Sequence, residues 1–482
     1  MTQLGHFPLV IDGEYLYEGQ GGTAESLDPA TGRPIATFGV AGVEDADAAV
    51  AAARRSFDAG TWRRMKPYER GRVMMRIADG LLQRRDELAK LLTLDSGKPL
   101  RDAYWEVDCS ARFFEFYGGY VDKDQGTQIP LGTGWMDWTI KEPIGVSAHI
   151  VPWNYPLQVA VRGIAPALAA GCSVVAKPSM ETPGGLGILA EIADAAGLPR
   201  GVLNVVTGPG SAVGDRLARH EGVDQLTFTG SVGAGVRVIQ AAATHTIPTN
   251  MELGGKSPQL VFADADLERT IPTLLAGMYT HAGQVCNAGT RLLVEASVHD
   301  EVVSRLVERI SAMRLGHGLD DPDLGPVVSA QAKSGIEEYL ELAAKEGTVH
   351  VGADLPSDPN LSGGYFVRPQ LVTGIDNDAR VAQEEIFGPL LAVIPFESHE
   401  QALQMADHSE FGLVAGVFTQ NISTAMRCVE ELSAGQVWVN AFGVGLDVEF
   451  PFGGVKKSGF GREKGLEALG AYQQIKNVCV GF

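Results

Sequence analysis

The chain has few cysteines, and they fall into no pattern. Cys109, Cys172, Cys286, Cys428 and Cys479 are scattered over 482 residues without a CxxC pair. That excludes a disulfide framework and a thiolate zinc site and fits a reducing compartment. The ten histidines show no HExxH or comparable ligand spacing, so no metal is expected. No uninterrupted apolar run approaches the length of a membrane span. The first residues lack a basic segment leading into an apolar core, and a cytoplasmic protein is expected. Cations are also short: 39 Lys and Arg face 59 Asp and Glu, a net charge of −20. Such a surface argues against nucleic acid or an anionic membrane as partner. The chain contains no internal repeat or low-complexity tract.

What is present suits sizeable cores. Hydrophobic residues make up 45% and charged residues 20%, and the length suggests roughly two to four domains. After a Gly-rich, turn-rich start, helical spacing runs through 43–57, 67–93 and 98–117. The stretch 126–140, with Trp135 and Trp138, reads as an extended excursion. From Ile144 to Thr229 short apolar strands (145–150, 173–176, 202–206, 225–229) alternate with helical runs (157–170, 184–196, 212–220). That order predicts a doubly wound parallel sheet, which binds ligands at the carboxyl ends of its strands. Pro152-Trp153-Asn154, Lys177-Pro178-Ser179, Gly208-Pro209-Gly210 and Gly230-Ser231 follow those ends. The turn from Gly230 to Gly235 spells GxxGxG, not the GxGxxG fingerprint, but its amides can still cradle phosphate. A second α/β region follows Thr249, with strands at 257–262, 390–394, 414–418 and 436–440, and 471–480 reads as a last strand.

Cys286 stands in a short Gly-flanked connection between a helical run, 271–279, and a strand, 291–295. A residue held still yet exposed is commonly placed so. A cysteine is more often a small buried hydrophobe than a nucleophile, and a thiol with a pKa near 8.5 needs help to ionise. His281 is near in sequence but reads as structural. Glu252, in a loop at the junction of the two α/β regions, is the best carboxylate candidate, because clefts form at such junctions.

Six segments carry a resemblance: Pro152-Trp153-Asn154-Tyr155-Pro156, Lys177-Pro178-Ser179, Phe228-Thr229-Gly230-Ser231, Glu252-Leu253-Gly254-Gly255-Lys256, Gly283-Gln284-Val285-Cys286 and Glu385-Ile386-Phe387-Gly388-Pro389. With Pro451-Phe452-Gly453-Gly454, they resemble the signatures of the NAD(P)-dependent aldehyde dehydrogenase superfamily, in its order and spacing, over essentially the whole chain. The resemblance implies that Cys286 attacks the aldehyde carbon. The Asn154 amide and the Cys286 N–H would hold the oxyanion. After hydride transfer, Glu252 would activate water to hydrolyse the thioester. Trp153, Lys177, Ser179, Met180, Gly210, Gly230, Ser231, Leu253, Gly254, Glu385 and Phe387 would contact NAD or NADP. Tyr155, Arg162, Val285, Asn287, Phe442 and Phe452 would line the substrate pocket.

The resemblance also implies two doubly wound α/β domains plus a β oligomerisation arm. Residues 1–122 and 144–251 would bind the cofactor, 252–455 would carry catalysis, and 123–143 with 456–482 would form the arm and tail of a homodimer or homotetramer. A CoA-acylating relative generally lacks the base at Glu252, and a non-catalytic relative has no need of Cys286, Asn154 and Glu252 together.

The sequence departs from the family at three places. Many NAD-preferring members carry Glu where this chain has Met180, and Glu181 is shifted by one. Gly163 replaces a frequent Lys, so any proton relay from Glu463 through that Lys is missing or rerouted. Arg162 stands where some members carry Trp. It would either attract an anionic aldehyde or pair with an acid in the pocket wall; the second reading is favoured. Members specific for succinic semialdehyde resemble a second Arg at the position of Thr280, and Arg162 would repel betaine aldehyde. An apolar or aromatic aldehyde suits the mixture.

Overall fold

The computed structural model describes residues 4–443 and 448–482. Residues 1–3 and 444–447, which fall in the expected units 1–122 and 252–455, lie outside the described residues. Of the five sheets among the described residues, three organise the fold. In the first, the parallel strands Thr249–Glu252, Gln225–Thr229, Val146–Ile150, Ser173–Lys177 and Leu203–Val205 lie side by side, and Leu9–Ile11 and Glu14–Leu16 extend one edge antiparallel. Val146–Ile150 and Ser173–Lys177 are buried at every position, as strands covered on both faces must be. The strand order reverses at Val146–Ile150, because the chain first adds strands on one side and then crosses to the other. A crevice for ligands opens at such a switch point.

The second sheet has the order Thr348–Val351, Gln370–Thr373, Leu390–Phe396, Arg291–Glu295, Pro258–Val261, Val414–Phe418, Gln436–Val439, and only its first pair is antiparallel. The third sheet is the expected excursion. Trp135–Pro143 pairs antiparallel with Gln473–Gly481 along nine residue pairs, and Gln128–Ile129 adds a short edge.

Several elements differ from the sequence reading. Thr249–Glu252 is a strand, so Glu252 is no loop residue: it ends a strand held parallel to Gln225–Thr229. Gly459–Phe460, expected in the tail, pairs antiparallel with that same strand. The helical run 67–93 is broken at Arg84 into Pro67–Gln83 and Arg85–Ser96. The run 212–220 is a π turn, Gly210–Gly214, followed by the short helix Asp215–Ala218.

The helix Pro156–Ala170 is the element nearest the site. Pro156 occupies its first turn, where the missing N–H costs nothing. All fifteen of its residues are buried, because it is packed within a hydrophobic core shared with the helices Pro67–Gln83 and Leu100–Tyr120. Arg162 is its only charged residue, so the fold has to supply acids to it.

Candidate active site

Cys286 is presented by a turn that costs backbone energy. The helix Leu267–Tyr279, capped by the Asp266 side chain, ends in three successive left-handed residues: His281 (φ 49°), Ala282 (φ 55°) and Gly283 (φ 76°). Two of them carry a Cβ, and that conformation is unfavourable for L-residues. Gln284 holds the turn in place. Its amide donates to the His281 carbonyl at 3.2 Å, and its side-chain oxygen accepts from the Val328 N–H at 2.9 Å. Gly255 lets the second strand region approach, since a Cβ there would stand 2.5 Å from the Cys286 carbonyl oxygen.

The thiol is partly exposed to a cavity of about 300 Å³. Asn154, Tyr155, Arg162, Val285, Asn287, Phe442 and Phe452 line it with Cys286. All six expected substrate residues therefore face one cavity. Asp102, Trp105, Gln158 and Lys464 line it as well, together with Thr280; the first four carry no local sequence sign of facing a cavity. Burial first, and then the nearby Glu252 charge, push the thiol up to about 12. His281 supplies no base: its buried ring stands edge-on to Tyr155 at 5.6 Å, neither ring nitrogen has a hydrogen-bond partner, and burial drives its pKa well below the usual value.

The Asn154 amide donates to the Gln284 carbonyl at 3.0 Å, next to the Cys286 turn. One N–H of that amide is thereby used and one is left over. Behind Asn154 lies a buried ion pair, Lys98–Glu106. Glu106 accepts from the Leu157 and Gln158 N–H groups at 2.9 and 3.2 Å, which caps the start of the helix Pro156–Ala170. No sequence signal marked this pair, whose members resemble ordinary surface charges until the fold buries them.

Glu252, Arg162 and Glu463 form a second buried cluster. One Arg162 nitrogen, Nη2, donates to Glu252 at 3.2 Å and also to Glu463. The guanidinium lies 4.5 Å over the Phe452 ring. Burial raises Glu252 to about 8 against the lowering effect of Arg162. The neighbouring Gly163 faces His149, and a Cβ there would be 2.5 Å from its Nδ1. The His149 ring occupies the space a longer side chain at 163 would need.

The expected cofactor residues lie at strand ends and in the turns that follow them. Lys177 ends its strand with Nζ donating to the carbonyls of Pro178 and Gly208 at 2.8 and 3.0 Å. Burial lowers it to about 8, and a third N–H stays available for a sugar hydroxyl. Ser179 donates to the Glu181 carboxylate, and Met180 is half-buried beside it. Gly210 is exposed at the start of its turn. Gly230 and Ser231 lead into the helix Val232–Ala242, which Ser231 caps. Leu253 is buried and donates to the Ser458 carbonyl at 3.0 Å, and the Gly254 carbonyl accepts from the Ser458 hydroxyl at 2.8 Å. Glu385 accepts from the Gly255 N–H at 3.0 Å, and burial pushes it up to about 7. The Trp153 and Phe387 rings meet edge to face at 5.4 Å. A partly bonded ammonium, a carboxylate and the N-terminus of the helix Val232–Ala242 fit a dinucleotide, with donors and acceptors for its sugars and amides for its phosphates.

Comparison with known proteins bears on the family and the fold. The profile described as "Aldehyde dehydrogenase family" matches residues 16–478. A betaine aldehyde dehydrogenase of Bacillus subtilis (strain 168) is 40% identical over 98% of this chain and 96% of its own length. Aldehyde dehydrogenase 1 of Tanacetum cinerariifolium is 39% identical, over 98% of this chain and 94% of its own. The crystal structure of betaine aldehyde dehydrogenase from Staphylococcus aureus in complex with NAD+ superposes with a TM-score of 0.95 at 39% identity, covering 98% of this chain and 94% of that one.

Proposed function

The chain belongs to the aldehyde dehydrogenase family, NAD(P)-dependent oxidoreductases that convert an aldehyde to a carboxylic acid, and we propose that Cys286, Asn154 and Glu252 carry that chemistry here. The observation behind this reading is that Cys286 and Asn154 line one cavity while Glu252 is held just behind its Arg162 wall. Cys286 releases its thiol proton to solvent in the cavity and attacks the carbonyl carbon as the thiolate. The free N–H of the Asn154 amide and the Cys286 backbone N–H point at the oxygen as it becomes anionic. When bound, the nicotinamide cofactor supplies the hydride acceptor that leaves a thioester on Cys286. Glu252 then takes a proton from the water that hydrolyses it.

Trp153, Lys177, Ser179, Met180, Gly210, Gly230, Ser231, Leu253, Gly254, Glu385 and Phe387 hold the cofactor in this reading. NAD is favoured, because Glu181 brings a carboxylate beside Lys177, and the Staphylococcus aureus relative is described with NAD+. The residues 1–122 and 144–251 then serve as the cofactor-binding unit and 252–455 as the catalytic unit. The sheet built on Trp135–Pro143 serves as the contact of a homodimer or homotetramer, by strand addition.

An apolar or aromatic aldehyde is the substrate we favour, since Tyr155, Val285, Phe442, Phe452 and Trp105 line the cavity and the Arg162 charge is already engaged by two carboxylates. A second reading, a cationic aldehyde, is favoured by Asp102 in the same wall and by relatives named betaine aldehyde dehydrogenase. Reduced-cofactor absorbance with apolar, aromatic, anionic and trimethylammonium aldehydes, each with NAD and NADP and without CoA, separates these. Preference for the trimethylammonium substrate overturns the apolar reading. Absence of signal throughout overturns the assignment of the machinery.

A further inference from the structure

We propose that Arg162 is a positioning residue that ties Glu252 and Glu463 into one unit holding a single proton, so that the pair, and not Glu252 alone, is the base of thioester hydrolysis. This rests on the reading of Glu252 as the water-activating carboxylate.

The geometry carries the argument. A single nitrogen serves both acids: Arg162 Nη2 is 3.2 Å from Glu252 Oε2 and also bonded to Glu463 Oε2. The side chains of Arg162, Glu252 and Glu463 are 5%, 2% and 1% exposed. Two carboxylates converging on one atom away from water cannot both ionise freely, and one positive charge compensates only one of them. The remaining oxygen of each, Oε1, has no hydrogen-bond partner. An unpartnered buried oxygen is costly on a carboxylate and far less so on a carboxylic acid. A guanidinium keeps its proton, so Arg162 contributes charge and position and carries no proton itself.

Of the other groups around the cluster, Lys464 opposes the retained proton, less strongly than burial and Glu463 favour it. Cys286 faces the cluster from the catalytic turn. Lys464 lies 5.3 Å from the Phe450 and Phe452 rings. Tyr117 and Tyr472 face Glu463, but the Tyr117 hydroxyl donates to the Gly465 carbonyl at 2.8 Å and the Tyr472 hydroxyl is bonded to Thr227 at 3.0 Å. Beneath Gly163, burial holds His149 down to about 3, so it is neutral. In hydrolysis the water oxygen bonds to the thioester carbon and the C–S bond breaks, its electron pair returning to Cys286. One water proton goes to the Glu252–Glu463 pair, and the other stays on the carboxyl group of the product.

The test uses p-nitrophenyl acetate, which acetylates Cys286 with release of p-nitrophenol as a burst; the steady rate that follows is thioester hydrolysis. Its pH profile is measured for the unmodified protein, Arg162→Met, Arg162→Lys, Glu463→Gln and Glu252→Gln. Loss of the cation in Arg162→Met is expected to move the midpoint up by at least about one pH unit and to slow hydrolysis about tenfold at pH 7. Arg162→Lys should recover part of that shift. Loss of the second acid in Glu463→Gln is expected to move the midpoint down by a similar amount. Unmoved midpoints in Arg162→Met and Glu463→Gln, with Glu252→Gln stalled after its burst, overturn the shared-proton unit and leave Glu252 as the base. Undiminished hydrolysis in Glu252→Gln overturns the reading of Glu252, and the proposal with it. Because Glu463→Gln nearly preserves shape, it decides the matter even if Arg162→Met does not fold.

Discussion

Lys98 donates from its ammonium to the main-chain carbonyl of Asn154 at 2.7 Å, from a site that is wholly buried. The same ammonium pairs with Glu106, which caps the helix behind Asn154, and lies 4.0 Å over the Tyr155 ring. The residue assigned to the oxyanion is therefore held through its backbone as well as through its amide, which donates to the Gln284 carbonyl at 3.0 Å.

Removing that ammonium leaves Glu106 as an unpaired buried charge. Lys98→Met is expected to destabilise the protein by about 3–5 kcal/mol, read as a lower urea midpoint. The double variant Lys98→Met/Glu106→Gln should lose less, because no uncompensated charge remains. Equal loss in both would show that the pair's electrostatics do not matter.

Glu252→Gln keeps the size of the side chain and removes its basicity. Steady aldehyde oxidation is expected to fall about 10²–10⁴-fold, with one equivalent of reduced cofactor still formed rapidly per site. Cys286→Ser should abolish both phases while cofactor binding persists. A burst from Cys286→Ser would remove Cys286 as nucleophile.

The Cys286 thiol, pushed up to about 12 by burial and the Glu252 charge, is protonated at neutral pH in the cofactor-free protein. Its alkylation by iodoacetamide, followed on the Cys286 peptide to exclude the exposed Cys479, should rise about tenfold per pH unit through pH 9 without levelling. Glu252→Gln should shift that profile to lower pH. A plateau at or below about 8.5, the ordinary thiol value, contradicts the prediction.

Cofactor choice should depend on Glu181. Ser179 donates to its carboxylate, whose charge also acts on Lys177, so it stands near the sugar that Lys177 would bind. Glu181→Gln removes a charge that repels a 2′-phosphate, and the ratio of kcat/KM for NADP over NAD should rise about tenfold, equivalent to about 1.4 kcal/mol. An unchanged ratio excludes Glu181 as the discriminating group.

Gly163→Ala places a methyl group 2.5 Å from His149 Nδ1 inside a wholly buried helix. A loss of about 1–3 kcal/mol is expected from overpacking. His149→Ala should relieve much of it, and a double variant no better than Gly163→Ala would place the strain elsewhere.

Much was legible in the chain itself. The alternation of apolar strands and helices predicted the parallel sheets because a strand covered on both faces must be apolar throughout. The motif order predicted the family, and all six residues expected in the substrate wall do line one cavity. Glu252 was placed at the right junction but in the wrong element, since four residues are too few to show a period. Tertiary structure alone decided what the charges do. Arg162 meets acids 90 and 301 residues away, and no local pattern reveals which buried charge will find which partner. Lys98 and Glu106 looked like solvated ions until burial made their pairing obligatory. The missing side chain at Gly163 became meaningful only when His149, from a neighbouring strand, was found filling its place. Local periodicity sets which residues turn inward, and the three-dimensional packing of distant segments sets which of them meet.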